Sequence, residues 1–110
     1  MKKSDINKIT KTVEKLDWSI SIDDKDFDFK KYSPAGQDFI VSISADNLEE
    51  LSEKLREKFN NFDCSEEAYL WLDDSGHGKN GAPYDMKDLY EDMESCEEML
   101  RELAEAVQKL

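Results

Sequence analysis

The chain has 110 residues, 15 Lys+Arg against 27 Asp+Glu, and a formal net charge of -12 at pH 7. This charge repels both the phosphate backbone of nucleic acid and an anionic membrane surface, so we expect no direct binding to either. The length fits one acidic domain over residues 1–110. Five Phe, four Tyr and two Trp predict a packed interior, because disordered acidic chains are poor in aromatic residues.

The acidity is concentrated toward one end of the chain. Residues 1–62 hold 13 Asp+Glu against 11 Lys+Arg, whereas residues 63–110 hold 14 against 4, a net charge of -10. So much like charge repels itself in the folded state, and solubility alone does not require it. A cationic partner is therefore expected.

The cellular setting is indicated by what the sequence lacks. We find neither a signal-peptide pattern nor an apolar stretch long enough to span a bilayer. Cys64 and Cys96 have no spacing typical of a disulfide framework or a metal site. A cytoplasmic protein with buried or half-buried thiols is expected.

The first half of the chain changes from helical to strand periodicity. Apolar residues spaced by three and four, from Ile6 to Leu16, predict a short helix capped by Ser4 or Asp5. Alternation with period two then predicts three strands: Trp18 to Ile22, Phe27 to Phe29, and Phe39 to Ile43. Turn residues between these runs, above all Ser33 to Gly36, predict an antiparallel meander with one apolar face.

Helices are predicted for the second half. Asp46 with Glu49, and Asp63 with Glu66, form capping-box patterns before a helix over about 47–60 and a short second helix. A glycine-rich loop over 75–83 precedes a long helix from near Asp85 to the end of the chain. The predicted fold class is α+β: an N-terminal helix, a three-stranded antiparallel meander, and three helices, the last packed on the sheet.

The last helix has an apolar stripe with heptad spacing. Its members are Met86, Leu89, Met93, Cys96, Leu100, Leu103, Val107 and Leu110. This pattern is typical of a coiled coil, but Tyr90, Met99, Ala104 and Ala106 widen the stripe beyond a two-stranded seam. We therefore favour a monomer in which the helix packs within the core, with a dimer through this helix as the alternative.

The opposite face of the last helix carries glutamates that rise in steps of roughly 4.5 to 6 Å. With acidic neighbours in sequence, they form the predicted partner-binding site: Glu66, Glu67, Asp73, Asp74, Asp88, Glu91, Asp92, Glu94, Glu98, Glu102 and Glu105. Such a band could occupy a groove built for nucleic acid, whose strands carry a charge about every 3.4 Å. The alternative is a solvated helix face.

No catalytic or metal-binding constellation is predicted. His77 is the only histidine and lies among glycines, which give no rigid placement beside Asp73 or Asp74. The stretch from Asp24 to Asp28 begins like a calcium loop, but Phe29 follows where the invariant glycine belongs. The glycine loop lacks phosphate-binding spacing and leads into acidic residues. We expect neither enzyme activity nor a cofactor.

One resemblance comes from the segment Tyr32-Ser33-Pro34-Ala35-Gly36-Gln37-Asp38-Phe39. Together with the helices that follow, Gly-Ala-Pro and the terminal Leu-Ala-Glu-Ala, it resembles small acidic accessory proteins carried by conjugative elements and phages of anaerobic bacteria. The similarity covers about residues 15–110. In that group a serine often caps the last helix, where this chain has Tyr84-Asp85. The resemblance carries over no catalytic residue and implies a mobile-element context, in which anti-restriction and anti-CRISPR proteins are often acidic and non-enzymatic.

The leading hypothesis is a non-enzymatic protein-binding module whose acidic C-terminal surface engages a basic protein. In its more specific form, the surface mimics nucleic acid and blocks a host defence nuclease. The second hypothesis is an oligomerising accessory protein that uses the heptad face of the last helix. A third, a small hydrolase or metal-dependent enzyme built on Asp73, Asp74 and His77, is ranked last because no rigid acid/base pair is visible.

Overall fold

An N-terminal helix followed by a three-stranded antiparallel sheet opens the computed structural model, which describes residues 1–72 and 85–110. Helix α1 spans Lys3–Lys15, and strands β1, β2 and β3 span Ser19–Asp23, Asp26–Tyr32 and Asp38–Ser44. The strands lie in the order β1-β2-β3. The predicted α+β class and the meander are confirmed.

Helices occupy the rest of the described chain. They are α2 over Leu48–Asn60, α3 over Cys64–Leu70 and α4 over Met86–Gln108. Helix α4 packs along α2 and α3 and also contacts α1. That α4 covers the sheet as well stays a prediction. The glycine loop predicted over 75–83 lies within 73–84, outside the described residues.

The sheet alternates between an apolar and a polar face. In β2 and β3 the core side carries buried residues, Phe27, Phe29, Phe39, Val41 and Ile43. The register aligns Ile20, Phe29 and Val41 in one row across the three strands. Residues from the four described helices pack with these side chains in one hydrophobic cluster. The helices therefore share one core with the sheet.

Two of the predicted helix starts are wrong by one or more residues. Helix α1 begins after Lys2, which has no side-chain cap, so neither Ser4 nor Asp5 is the N-cap. Asp5 lies instead in the first turn, where a negative charge favours the helix dipole. Helix α2 is capped by Asn47, one residue after the predicted Asp46.

The displaced Asp46 has another role. Its carboxylate pairs with Lys25 Nζ at 2.8 Å, while Asn47 Oδ1 accepts from the Glu50 backbone N–H at 2.8 Å. Asparagine caps a helix about as well as aspartate, so cap preference does not distinguish Asp46 from Asn47. The ion pair of Asp46 with Lys25 and the position of the apolar stripe favour Asn47 as the cap. The caps at Asp63 and Asp85 are as predicted.

A buried carboxylate joins the turn between β2 and β3 to helix α4. Asp92 is 5% exposed, and its Oδ2 accepts a hydrogen bond from Ser33 Oγ at 2.6 Å. Its Oδ1 accepts from the Ala35 backbone N–H at 2.9 Å. The Ser33 hydroxyl also accepts from the Gln37 N–H at 3.0 Å, so one side chain organises both ends of the turn.

Removing this carboxylate is expected to destabilise the protein measurably. Asp92→Ala leaves the Ser33 hydroxyl, 5% exposed, without its acceptor, and an unsatisfied buried polar group costs about 1 to 3 kcal/mol. Urea unfolding followed by circular dichroism measures the change, with Glu102→Ala on the exposed side of α4 as the control. A free energy of unfolding within about 0.5 kcal/mol of that control would contradict the assignment.

The same turn depends on a glycine. Gly36 has φ +89, and a Cβ built there meets nothing within 4 Å, so only the backbone conformation opposes a side chain. Gly36→Ala is expected to lower the free energy of unfolding by about 1 to 2 kcal/mol. Gly36→Asn should lose less, because asparagine tolerates positive φ. Equal losses of unfolding free energy for the alanine and asparagine variants, measured by urea unfolding, would contradict the explanation from positive φ and point to a steric cause.

Candidate functional site

Five glutamates on one side of α4 form an exposed acidic ridge. This acidic ridge consists of five exposed residues, Glu91, Glu94, Glu98, Glu102 and Glu105. Spacings of three and four residues place them on one face of the helix. From the first to the last, the ridge extends about 21 Å along the axis. The apolar stripe on the other side is buried, which directs the carboxylates to solvent.

One cation lies within the ridge. Arg101 Nε donates to Glu98 Oε2 at 2.9 Å, and its Nη1 donates to Glu105 Oε1 at 2.8 Å. The hydrogen bond from Arg101 lowers the pKa of Glu98, and both carboxylates raise that of the guanidinium. Exposed ion pairs of this kind are weak and screened by salt, so an incoming cation can compete for the same carboxylates.

The lysines of the first helix leave the ridge uncompensated. Lys8, Lys11 and Lys15 are exposed on α1, which contacts α4. Within residues 1–72 and 85–110, none of them forms an ion pair with an α4 carboxylate. In the same part of the chain, Arg101 is the only cation paired with the ridge.

The other predicted partner-binding residues have different surroundings. Asp88 and Glu66 are exposed, near the starts of α4 and α3. Glu67 is half-buried, and burial, followed by repulsion from Glu66, raises its pKa. Asp73 and Asp74 lie outside the described residues, as does His77.

Asp92 does not belong to the exposed band in which the sequence analysis placed it. Its side chain is 5% exposed, and its two oxygens are bound to Ser33 and Ala35. Asp92 lies one residue after Glu91, and the turn of the helix carries it to the inner side. Its carboxylate stabilises the fold and does not contribute an exposed negative charge to a partner.

Asp63, the residue before α3, is an acidic group that was not assigned to the site from the sequence. Tyr90 on α4 has a raised pKa, chiefly because of the Glu94 charge, with Glu97 and Asp63 contributing. Asp63 was predicted only as a helix cap, yet it lies near Tyr90 and so near the N-terminal end of the ridge. The sequence holds one signal for this proximity: Asp63 directly precedes Cys64, which is buried in the core with residues of α4.

The two cysteines are free and buried. Burial is the main cause that raises the pKa of Cys64 to about 11 and that of Cys96 to about 12, with nearby carboxylates adding to both shifts. This agrees with the expectation of buried or half-buried thiols. Neither thiol is prepared for nucleophilic chemistry at neutral pH.

Thiol labelling checks these shifts. At pH 8 a thiol with a pKa of about 11 is roughly one part in a thousand thiolate, so Cys64 should react with iodoacetamide about a hundredfold slower than glutathione. Because the thiolate fraction rises about tenfold per pH unit below the pKa, the labelling rate of the folded protein should keep rising up to about pH 11. The urea-unfolded protein is the control and should react at the ordinary rate. Equal rates for the folded and unfolded protein at pH 8 would contradict the shifts.

The described residues offer neither a metal site nor a membrane-spanning helix. Within residues 1–72 and 85–110, no group of three or more His, Cys, Asp or Glu is arranged to hold a metal ion. None of the helices in this part of the chain is long and apolar enough to cross a membrane.

Comparison with protein-family models, with curated proteins and with solved structures found no match to this chain. The resemblance to accessory proteins of mobile elements therefore stays an expectation from the sequence. Fold and surface together define the class of protein: a small acidic α+β protein with an exposed, largely unpaired ridge of glutamates on its longest described helix.

Proposed function

We propose that the protein is a non-enzymatic binding module that engages a basic protein through its acidic ridge and the carboxylates beside it. The observation that carries the proposal is that Glu91, Glu94 and Glu102 form no ion pair within the described residues, although the chain holds 15 Lys+Arg. A folded protein gains no stability from charges held this way. A cationic surface on a partner would neutralise them.

Mimicry of nucleic acid requires carboxylates beside the ridge as well as those within it. Its carboxylates rise in steps of roughly 4.5 to 6 Å, against about 3.4 Å for the phosphates of one DNA strand. The ridge alone is therefore sparser than a strand of duplex. The exposed Asp88 extends the ridge by one turn of α4, and the exposed Asp63 and Glu66 at the start of α3 would add to its charge density.

A partner that normally binds nucleic acid would present the matching surface. Lysine and arginine in its groove contact phosphates, and those contacts dominate affinity at low salt. A net charge of -12 also steers a cationic partner toward the protein over distances of about a Debye length, 8 to 10 Å. The mobile-element context implied by the sequence resemblance favours a host defence nuclease as this partner.

The rival function, an oligomerising accessory protein, requires the heptad stripe of α4 to be available. Leu89, Met93, Cys96, Leu100, Leu103 and Val107 are instead buried within one chain. A second copy could reach them only if α4 left α2 and α3. The burial of the stripe favours the binding module over the oligomer, and a single-chain mass in sedimentation at low micromolar concentration would agree.

Neutralising the ridge is expected to abolish partner binding. Converting Glu91, Glu94, Glu98, Glu102 and Glu105 to glutamine keeps helix propensity while removing the charge. The variant should capture no partner from a bacterial lysate. Partner bound to the unmodified protein should be released by duplex DNA at low ionic strength, and not by salt of equal ionic strength.

A matched control separates the ridge from net charge. The control removes five exposed carboxylates elsewhere through Glu14→Gln, Asp17→Asn, Asp24→Asn, Glu49→Gln and Glu53→Gln. Asparagine suits positions 17 and 24, where φ is positive. The control should retain capture, with only a modest loss from weaker long-range attraction. Equal capture by both variants would overturn the assignment of the ridge.

A further inference from the structure

Strand β3 lies at one edge of the sheet, and some of its backbone N–H and C=O groups point away from β2. Hydrogen bonds from Ser33 N to Gln37 O and from Ala45 N to Lys25 O flank the β2–β3 ladder at its two ends. In an antiparallel pair, bonded and non-bonded positions alternate, so the bonded residues of β3 carry odd numbers. Ile40 and Ser42 therefore direct their N–H and C=O groups away from β2.

A hydrogen bond at Ser44 supports the outward direction of the even-numbered residues of β3. The carbonyl oxygen of Ser44, the next even-numbered residue, accepts a hydrogen bond from Lys54 Nζ at 2.6 Å. Lysine at a sheet edge is a common way of blocking unwanted strand pairing. Here it blocks only the end of β3. In the part of the chain that the structure describes, the outward backbone groups of Ile40 and Ser42 have no such cover.

A groove of about 550 Å³ runs beside this edge. Helix α2 forms its wall with Lys54, Glu57 and Lys58, and Phe62 and Leu100 add apolar surface. Ile40, at the middle of the edge, is 54% exposed. As far as residues 1–72 and 85–110 define it, the groove has the features used in β-strand addition: an open backbone edge beside space for alternate side chains.

The charges around the groove indicate the chemistry of an occupant. The solvent face of the sheet carries Asp23, Asp26, Asp28 and Asp38 against Lys30, whose Nζ lies 3.4 Å from Asp38 Oδ1, so the face keeps an excess of negative charge. On the groove side, Glu67 is half-buried and has a raised pKa because burial and Glu66 disfavour its charge. Lys54 is already paired with Glu50. Lys58 also lines the groove beside Glu57, so the groove carries charges of both signs around its apolar surface. Cationic side chains of an added strand would therefore be attracted to the solvent face.

We propose that the β3 edge binds an extended segment of a partner protein in which basic and apolar residues alternate. The segment adds a fourth strand by hydrogen-bonding to Ile40 and Ser42. Its apolar side chains enter the groove beside α2, and its basic side chains lie on the solvent face next to Asp38. The inference rests on the proposed function only in assigning the partner a positive charge.

A second copy of this chain fits the edge less well. Two copies would bring net charges of -12 together, and two β3 strands running antiparallel would each contribute Asp38 to the pairing. A basic segment meets neither penalty. Dimerisation through β3 is thus an outcome that would contradict the proposal.

The test removes one outward donor while leaving the ladder intact. Ser42→Pro deletes an N–H that points away from β2, and proline is tolerated on edge strands. Ser42→Ala is the matched control, because both changes delete the hydroxyl that donates to Asp28 Oδ1 at 2.7 Å. The probe is a synthetic peptide of about eight residues that alternates lysine and valine, with a glutamate-valine peptide of equal length for comparison.

Fluorescence anisotropy of the labelled peptide and amide hydrogen exchange of the protein give the readouts. We expect the lysine peptide to slow exchange at Ile40 and Ser42, and Ser42→Pro to weaken its binding about tenfold relative to Ser42→Ala. If Ser42→Pro does not fold, Ile40→Lys against Ile40→Thr replaces it, and the added charge should weaken binding in the same direction.

Several results would overturn the proposal. They are equal binding of the glutamate peptide, unchanged exchange at Ile40 and Ser42, equal affinity of the proline and alanine variants, or a dimer dissociated by Ser42→Pro. The five-glutamine ridge variant separates a failure of the β3-edge proposal from a failure of the proposed ridge function. It should retain the slowed exchange at Ile40 and Ser42 with the lysine peptide, so loss of lysate capture in that variant concerns the ridge alone.

Discussion

The contact between the Asp92 carboxylate and the turn after β2 fixes the placement of the acidic ridge. Because Ser33 and Ala35 donate to one carboxylate on α4, the rotation of that helix about its axis is set by the sheet. A rotation that exposed Asp92 would also bring ridge glutamates toward the core, where unpaired charge is costly. The polar contact and the apolar stripe therefore impose the same orientation, and the ridge faces solvent as a result.

The acidic ridge is a cost in stability that the fold carries. Like charges along one helix face repel one another, and within the described residues Arg101 is the only cation paired with them. Burial of the apolar stripe, with Leu89 and Leu103 at 0% exposure, offsets that repulsion. Features retained against stability are common at functional surfaces. This is the physical reason for linking the ridge with a partner.

Much of the fold could be predicted from local patterns, whereas the site was only partly predictable. Period-two alternation was sufficient for the strands, because one sheet face is apolar. The burial of Asp92 was not visible, since in sequence it is one more carboxylate in an acidic helix. Its partner Ser33 is 59 residues away along the chain. The turn motif that carries the sequence resemblance thus has a structural explanation: Ser33 binds Asp92, Gly36 supplies positive φ, and Phe39 packs in the core.

A cationic paramagnetic probe, compared with a neutral one of the same size, tests most directly whether the ridge is a coherent anionic surface. Amide signals from 91–105 on α4 should broaden more strongly with the cationic probe than those of α1, and the excess should fall as salt is added. Broadening spread evenly over both helices, or excess broadening that does not respond to salt, would contradict the account.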